Sequence, residues 1–63
     1  MREWHWIDTN LDDKKEYYIR GYLTGIGLDY YILDGWIVCR MTYSQFDGLN
    51  RILDEEFGED NEL

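Results

Sequence analysis

A chain of 63 residues is long enough for one domain only, and its 14 acidic side chains against 6 basic ones leave a formal net charge of −8 at pH 7. This charge disfavours direct binding to nucleic acid, which needs Lys and Arg to displace counterions, and attraction to an anionic membrane. One cysteine excludes an internal disulfide framework. No apolar run approaches the length of a membrane span, so we predict a single folded domain over residues 1–63, located in the cytoplasm.

The first predicted elements are a strand and a helix. Residues 2–8 favour a strand that places both of its tryptophans on one face, because side chains alternate along an extended backbone. Asn10 is the expected N-cap of the helix, and Gly25 or Gly27 is expected to end it. Gly21 and Gly25 leave a smooth patch on this helix. The predicted buried stripe contains Leu11, Lys15, Tyr18, Tyr22 and Ile26, with Ile19 and Leu23 beside it.

A tight hairpin is the clearest pattern in the sequence. Asp34 and Gly35 stand between the β-prone residues 29–33 and 36–40, and this dipeptide is typical of a two-residue type I′ turn. The turn sets the pairing of the two strands. The predicted core face then carries Leu28, Tyr30, Ile32, Ile37, Cys39 and Met41. The opposite face carries Asp29, Tyr31, Leu33, Trp36, Val38 and Arg40, and is too apolar for a surface left in water.

A second helix is predicted after residue 42, with Thr42 and Gln45 spaced as a capping box. Its expected buried stripe is Phe46, Leu49, Ile52, Leu53 and Phe57. Gly58 is expected to end it before an acidic, frayed tail over residues 58–63. A right-handed crossover would place the third strand between the first two. The sequence therefore predicts an α+β domain of order β-α-β-β-α, with a three-stranded sheet and two helices on one face. This is a ferredoxin-like order lacking the last strand.

Catalytic and metal-binding patterns are weak throughout the chain. Asp8, Asn10 and Asp12 match the first ligands of a calcium loop, but the glycine that such a loop requires is missing, and a capped helix start explains the same residues. The lone His5 is expected to be a strand residue with a satisfied ring, and Cys39 a buried small hydrophobe. We predict no catalytic residue, metal or cofactor, and so no enzyme. A small metal-dependent enzyme is the least supported alternative.

Two groups of residues are candidate partner-binding surfaces. An aromatic surface is expected on the outer sheet face, from Tyr31, Leu33, Trp36, Trp4 and Trp6. Arg40 and Arg2 are the only bases expected near it, so it suits protein contact, and a homodimer is its simplest use. An acidic strip is expected on the second helix and tail, from Asp47, Asp54, Glu55, Glu56, Glu59 and Asp60. It is either a solvated face or a surface for a basic protein.

Two functional hypotheses follow from these surfaces. Short, acidic, aromatic-rich folded chains are similar in composition to phage and mobile-element products such as anti-CRISPR proteins, nuclease inhibitors and uracil-DNA glycosylase inhibitors. The first hypothesis is an inhibitor that occupies the nucleic-acid-binding groove of a basic host protein as a DNA mimic, with aromatic contacts close to the acidic strip. The alternative is a structural or regulatory interaction module, such as an antitoxin or assembly subunit, that uses the aromatic surface.

Overall fold

A three-stranded antiparallel sheet and two helices form the domain in a computed structural model, which describes residues 1–58. The elements are β1 (Glu3–Asp8), α1 (Asp13–Gly25), β2 (Tyr30–Leu33), β3 (Trp36–Met41) and α2 (Tyr43–Phe57). The sheet order is β1-β3-β2, so β3 lies in the centre and pairs with both neighbours. The predicted α+β architecture is confirmed. The predicted frayed tail lies outside the described residues from position 59 onward.

The β2–β3 hairpin has the predicted turn and register. Asp34 and Gly35 both have positive φ, +50° and +88°, as a two-residue type I′ turn requires. The residue pairs between the strands are Leu33–Trp36, Ile32–Ile37, Tyr31–Val38 and Tyr30–Cys39. Because side chains alternate between the two faces, this register decides which residues face the helices and which face outward.

Thr9 ties the β1–α1 loop to that turn. Its backbone N–H and its hydroxyl both donate to the Gly35 carbonyl oxygen, at 3.0 and 2.7 Å. The hydroxyl oxygen also accepts the Leu11 N–H at 3.3 Å. Thr9 is buried, and these bonds satisfy its polar atoms, so burial of the hydroxyl carries little penalty. The position of the hairpin turn and the course of the loop therefore depend on each other.

The start of α1 differs from the prediction, because Asp12 is the N-cap and Asn10 is not. The Asp12 carboxylate accepts the N–H groups of Lys14 and Lys15, at 2.9 and 3.4 Å. Asn10 and Leu11 have φ of +57° and +53°, so the chain makes a left-handed turn before the helix begins. Leu11 is consequently 85% exposed and lies outside the buried stripe in which it was predicted.

The buried side of α1 is centred on its aliphatic residues. Ile19 and Leu23 are fully buried, and Tyr22 is half-buried. Tyr18 and Ile26, both predicted for the stripe, are exposed instead. The helix turns its aliphatic row toward the sheet, which leaves the tyrosine hydroxyls near water, where they can form hydrogen bonds.

Gly27, one of the two predicted stops, lies just beyond the end of α1. Its φ is +75°, and its N–H donates to the Thr24 carbonyl oxygen at 3.1 Å. The Leu28 N–H donates to the Leu23 carbonyl oxygen at 3.0 Å. These two bonds form a Schellman motif, and both leucines are buried beside it. The motif turns the chain from the helix into β2.

The second helix forms as predicted. The Gln45 N–H donates to Thr42 Oγ1 at 3.1 Å, and the Thr42 N–H donates to Gln45 Oε1 at 3.0 Å, which confirms the capping box. Gly58 is the C-cap residue. The buried and half-buried residues of α2 include the whole predicted stripe of Phe46, Leu49, Ile52, Leu53 and Phe57.

The core lies between the sheet and the two helices. It contains Ile7, Ile19, Leu23, Leu28, Ile37, Cys39, Met41, Leu49 and Leu53. The predicted core face is confirmed except at Ile32, which is exposed. Ile32 has the predicted register, but it lies on the edge strand β2, where one lateral neighbour is missing and water reaches the side chain.

His5 and Cys39 lie opposite each other on the core side of β1 and β3. The His5 ring stacks on Phe46 with 4.3 Å between centroids, and its buried Nε2 has no hydrogen-bond partner, so the predicted satisfied ring is wrong. Cys39 is a buried free thiol, as predicted. Burial raises the pKa of Cys39 to about 11, which keeps the thiol protonated and unreactive at neutral pH.

Candidate protein-binding surfaces

The strand order brings the predicted aromatic residues together on the outer side of the sheet, turned away from both helices. Because β1 and β2 flank β3, side chains from three strands share this surface. We call it the aromatic face, and it consists of Trp4, Trp6, Tyr31, Leu33 and Trp36. Their side chains are between 38% and 51% exposed, so a substantial apolar surface meets water.

Two aromatic pairs organise this face. The Trp4 and Tyr31 ring centroids are 5.6 Å apart, and those of Trp6 and Trp36 are 5.9 Å apart. The first pair is tilted and the second is close to T-shaped, and both arrangements are favourable for aromatic quadrupoles. Val38 lies between them on the central strand and is only 1% exposed, although its side chain points away from both helices. The aromatic side chains therefore cover Val38 and form a packed layer of their own.

Opposite charges mark the two ends of the aromatic face. Arg40 lies opposite Trp4 at one end, and Asp8 lies opposite Trp36 at the other. Alternation along the strands places both charged side chains on this face, and both are exposed. Within residues 1–58, the two ion pairs lie on the helices, and Arg40 belongs to neither. The separation of the two charges was not predicted, since it requires the β1–β3 register.

The acidic strip lies on the other side of the molecule. Leu49 and Leu53 attach α2 to the core side of the sheet, so the solvent-facing carboxylates of α2 point away from the aromatic face. Asp54, Glu55 and Glu56 are exposed there. The expected proximity of aromatic and acidic contacts is therefore wrong, because the two surfaces belong to opposite layers.

Other members of the predicted strip contribute less to a continuous negative surface. Asp47 forms an ion pair with Arg51, one turn away on α2, at 3.2 Å. This pair neutralises the N-terminal half of the strip. Glu59 and Asp60 lie outside the described residues. The described part of the strip is thus reduced to three neighbouring carboxylates at the end of α2.

A groove on the helical side is lined mainly by aromatic side chains. It has a volume of about 600 Å³ and is lined by Lys14, Tyr17, Tyr18, Gly21, Tyr22 and Phe57. Apart from the adjacent residues and the local backbone of α1, no heavy atom lies within 4 Å of the position that a Cβ would take at Gly21 or Gly25, so the predicted smooth patch of α1 is present. Next to it, the interaction of Tyr30 with the neighbouring Arg20 guanidinium lowers the pKa of the Tyr30 hydroxyl and raises the pKa of the guanidinium.

The two acidic residues that match a calcium loop bind backbone groups instead. The Asp8 carboxylate accepts the Asn10 N–H at 2.8 Å, and Asp12 caps α1. In the described part of the chain, no three His, Cys, Asp or Glu side chains are placed to share a metal ion. A capped helix start explains these acidic residues without a ligand.

Comparison with known proteins found no matching family model, curated protein or solved structure. Over residues 1–58, neither helix has the length and apolar character needed to cross a membrane. The described part of this small α+β domain has the aromatic face on one side and the acidic end of α2 on the other.

Proposed function

We propose that this chain is a non-enzymatic protein-interaction domain in the cytoplasm and that its contact surface is the aromatic face. The observation that carries the proposal is the convergence of five large apolar side chains on one sheet face, all still partly exposed. Water contact with apolar surface costs about 25 cal/mol per Å², so a contiguous patch of this kind marks an interaction site. A role as an antitoxin or assembly subunit is consistent with such a module.

The charges around this face favour a protein partner over nucleic acid. Sheets that stack bases on surface aromatics flank those rings with Lys and Arg. Here Arg40 is accompanied by Asp29 and Asp8 on the same face of the sheet. The net charge of −8 adds long-range repulsion from phosphate. A protein surface, in contrast, can cover aromatic side chains without a surrounding basic rim.

Preorganisation also supports a binding role. The two ring pairs and the buried Val38 hold the aromatic side chains in place before any partner arrives. Ordering a flexible side chain at an interface costs about 0.5–1.5 kcal/mol, and rigid rings avoid most of that cost. The side chains of the aromatic face are therefore already ordered for contact, which favours a binding surface over a set of scattered apolar residues.

Photo-cross-linking from chosen positions tests this proposal and works with a partner of any identity. Benzoylphenylalanine would replace Tyr31 on the aromatic face in one variant and Glu56 on the acidic strip in another. Both positions are exposed, so neither replacement should disturb the fold. We expect covalent protein adducts from position 31 and none from position 56. Adducts from position 56 alone would show that the aromatic face is not the contact surface.

The second candidate function is an acidic inhibitor of a nucleic-acid-binding host protein, of the anti-CRISPR or nuclease-inhibitor type and encoded by a phage or mobile element. The observation that favours it is the exposure of Asp54, Glu55 and Glu56 on one rigid helix, with no ion-pair partner within residues 1–58. Neighbouring carboxylates on a helix can imitate the phosphates that a basic groove binds, which makes DNA mimicry the expected mechanism.

A charge-reversal variant tests the second candidate. Asp54→Lys, Glu55→Lys and Glu56→Lys together should leave the fold intact, since the side chains are exposed, but abolish binding to a basic target. Wild-type binding should weaken as salt shortens the Debye length from about 10 Å at 0.1 M to about 3 Å at 1 M. Nucleic acid should compete with the wild type for the target. Normal binding by the variant, or simultaneous binding of nucleic acid, would exclude mimicry.

A further inference from the structure

The charges at the ends of the aromatic face restrict what can cover it. Arg40 lies on the central strand at one end, and Asp8 lies on the neighbouring strand at the other. Asp29 flanks Arg40 on the side of β2, where its carbonyl oxygen accepts the Arg40 N–H at 3.0 Å, but the two side chains form no ion pair. A surface that fits this face should therefore present an acid near Arg40 and a base near Asp8.

A second copy of the aromatic face meets this requirement when it is turned end for end, because its own Asp8 then lies near Arg40 and its own Arg40 near Asp8. Two identical sheet faces can meet around a two-fold axis that runs either along the strands or across them. An axis along the strands lays Arg40 against Arg40 of the second copy, because β3 is the central strand. An axis across the strands instead lays Arg40 over Trp36 of the second copy and beside its Asp8. The second arrangement replaces repulsion by a cation–π contact and an ion pair.

We propose that a second copy of this chain covers the aromatic face, with the two sheets face to face, the strands antiparallel and the two-fold axis at Val38. The inference rests on the proposed use of this face as a contact surface. Each dimer contains the contact between Arg40 and Asp8 twice, because a two-fold interface repeats every interaction. The four aromatic side chains of each copy fill the space between the sheets.

The available area sets the strength of this dimer. A fully exposed aromatic side chain presents roughly 150–250 Å², so five side chains at the observed exposures offer roughly 400–500 Å² per chain. Full coverage of both copies then buries roughly 800–1,000 Å² in total, at the lower limit for a specific interface. We therefore expect a reversible dimer that forms at micromolar concentrations and dissociates on dilution.

The net charge of each copy does not prevent this association. The carboxylates of Asp54, Glu55 and Glu56 project from α2, on the side of the core away from the aromatic face. A helix is about 10 Å in diameter, more than the Debye length of about 8 Å at physiological ionic strength. The strongest cluster of like charges is therefore screened from the partner copy.

Two charge-reversal variants test this arrangement, first each alone and then mixed together. Arg40→Glu alone places a carboxylate beside Asp8 of the second copy, and Asp8→Lys alone places an ammonium group beside Arg40 of the second copy. We expect each variant to weaken self-association about tenfold, measured by sedimentation velocity at about 100 µM chain. A 1:1 mixture of the two variants should recover dimers, because every contact in a mixed dimer joins opposite charges. Native mass spectrometry should show that the recovered dimers are mixed.

A fallback variant and further outcomes decide the proposal. Asp8 accepts the Asn10 N–H, so if Asp8→Lys does not fold, Asp8→Asn keeps an acceptor there and should still weaken the dimer. A wild type that stays monomeric at about 1 mM, or a mixture that recovers no dimer, would overturn the proposed two-fold arrangement. If position 31 then still cross-links to a different protein, the interaction function stands and only the second copy is excluded.

Discussion

Gly35→Val is expected to destabilise the domain by about 2 kcal/mol and to lower its Tm by roughly 8–16 °C. Gly35 has a φ of +88°, a conformation that a β-branched side chain adopts only under strain. A Cβ at this position would also lie 3.1 Å from Leu11 Cδ2. The turn sets the register of β2 with β3 and accepts two hydrogen bonds from Thr9, so strain at this residue affects both the sheet and the β1–α1 loop.

Thermal unfolding of two substitutions separates the backbone strain at positive φ from the steric contact with Leu11. Gly35→Asn should be milder than Gly35→Val, because asparagine tolerates positive φ, while both substitutions add a Cβ near Leu11. Equal losses for the two variants would assign the effect to the steric contact. An unchanged Tm for Gly35→Val would contradict the type I′ turn and, with it, the division of residues between the two sheet faces.

Trp36→Glu is expected to abolish contact through the aromatic face while leaving the helices intact. Trp36 packs against Trp6 and lies on the central strand, at the end of the aromatic face that carries Asp8. Large aromatic residues that become buried at an interface dominate binding energy, and loss of one costs about 2 kcal/mol or more, which corresponds to at least about a 30-fold loss of affinity. If the partner is a second copy, the new carboxylate faces Arg40 of that copy, so the loss of ring area and not the added charge weakens contact.

Tyr43→Glu is the matched control for that substitution. Tyr43 is 69% exposed and begins α2, in the layer opposite the aromatic face. The substitution therefore introduces the same charge away from the proposed contact. Circular dichroism should show the same helix content for both variants. Equal loss of association in the two variants would mean that added negative charge, and not the aromatic face, weakens binding.

The elements that could be predicted from sequence are those with strong local chemistry. The Asp34–Gly35 turn and the Thr42–Gln45 capping box each require particular residues at fixed spacing, and both are present. The first turn of α1 was predicted incorrectly because Asn10 and Asp12 are both good N-caps, and sequence does not show that Asn10 adopts a positive φ. The bond from Thr9 to Gly35 joins residues 26 positions apart, which local patterns do not reveal.

The candidate surfaces were predictable to different degrees. Alternation along each strand was enough to group Trp4 with Trp6 and Tyr31 with Leu33. The predicted crossover then placed all of them beside β3 on one face, and the sheet order agrees. The predicted architecture already placed α2 on the side of the sheet opposite this face, so the expected proximity of the aromatic contacts to the acidic strip did not follow from it. The end-to-end charge pattern also required the register of β1 with β3, which no turn determines.

All three tryptophans of the chain lie on the aromatic face, so their fluorescence reports on contact at that surface. The decisive measurement is acrylamide quenching of this emission in the free chain and in its complex, whether with a second copy at high concentration or with a cross-linked partner. We predict that complex formation shields the rings, so that quenching falls and the emission moves to shorter wavelength. A complex that forms with unchanged quenching would show that the aromatic face is not the contact surface.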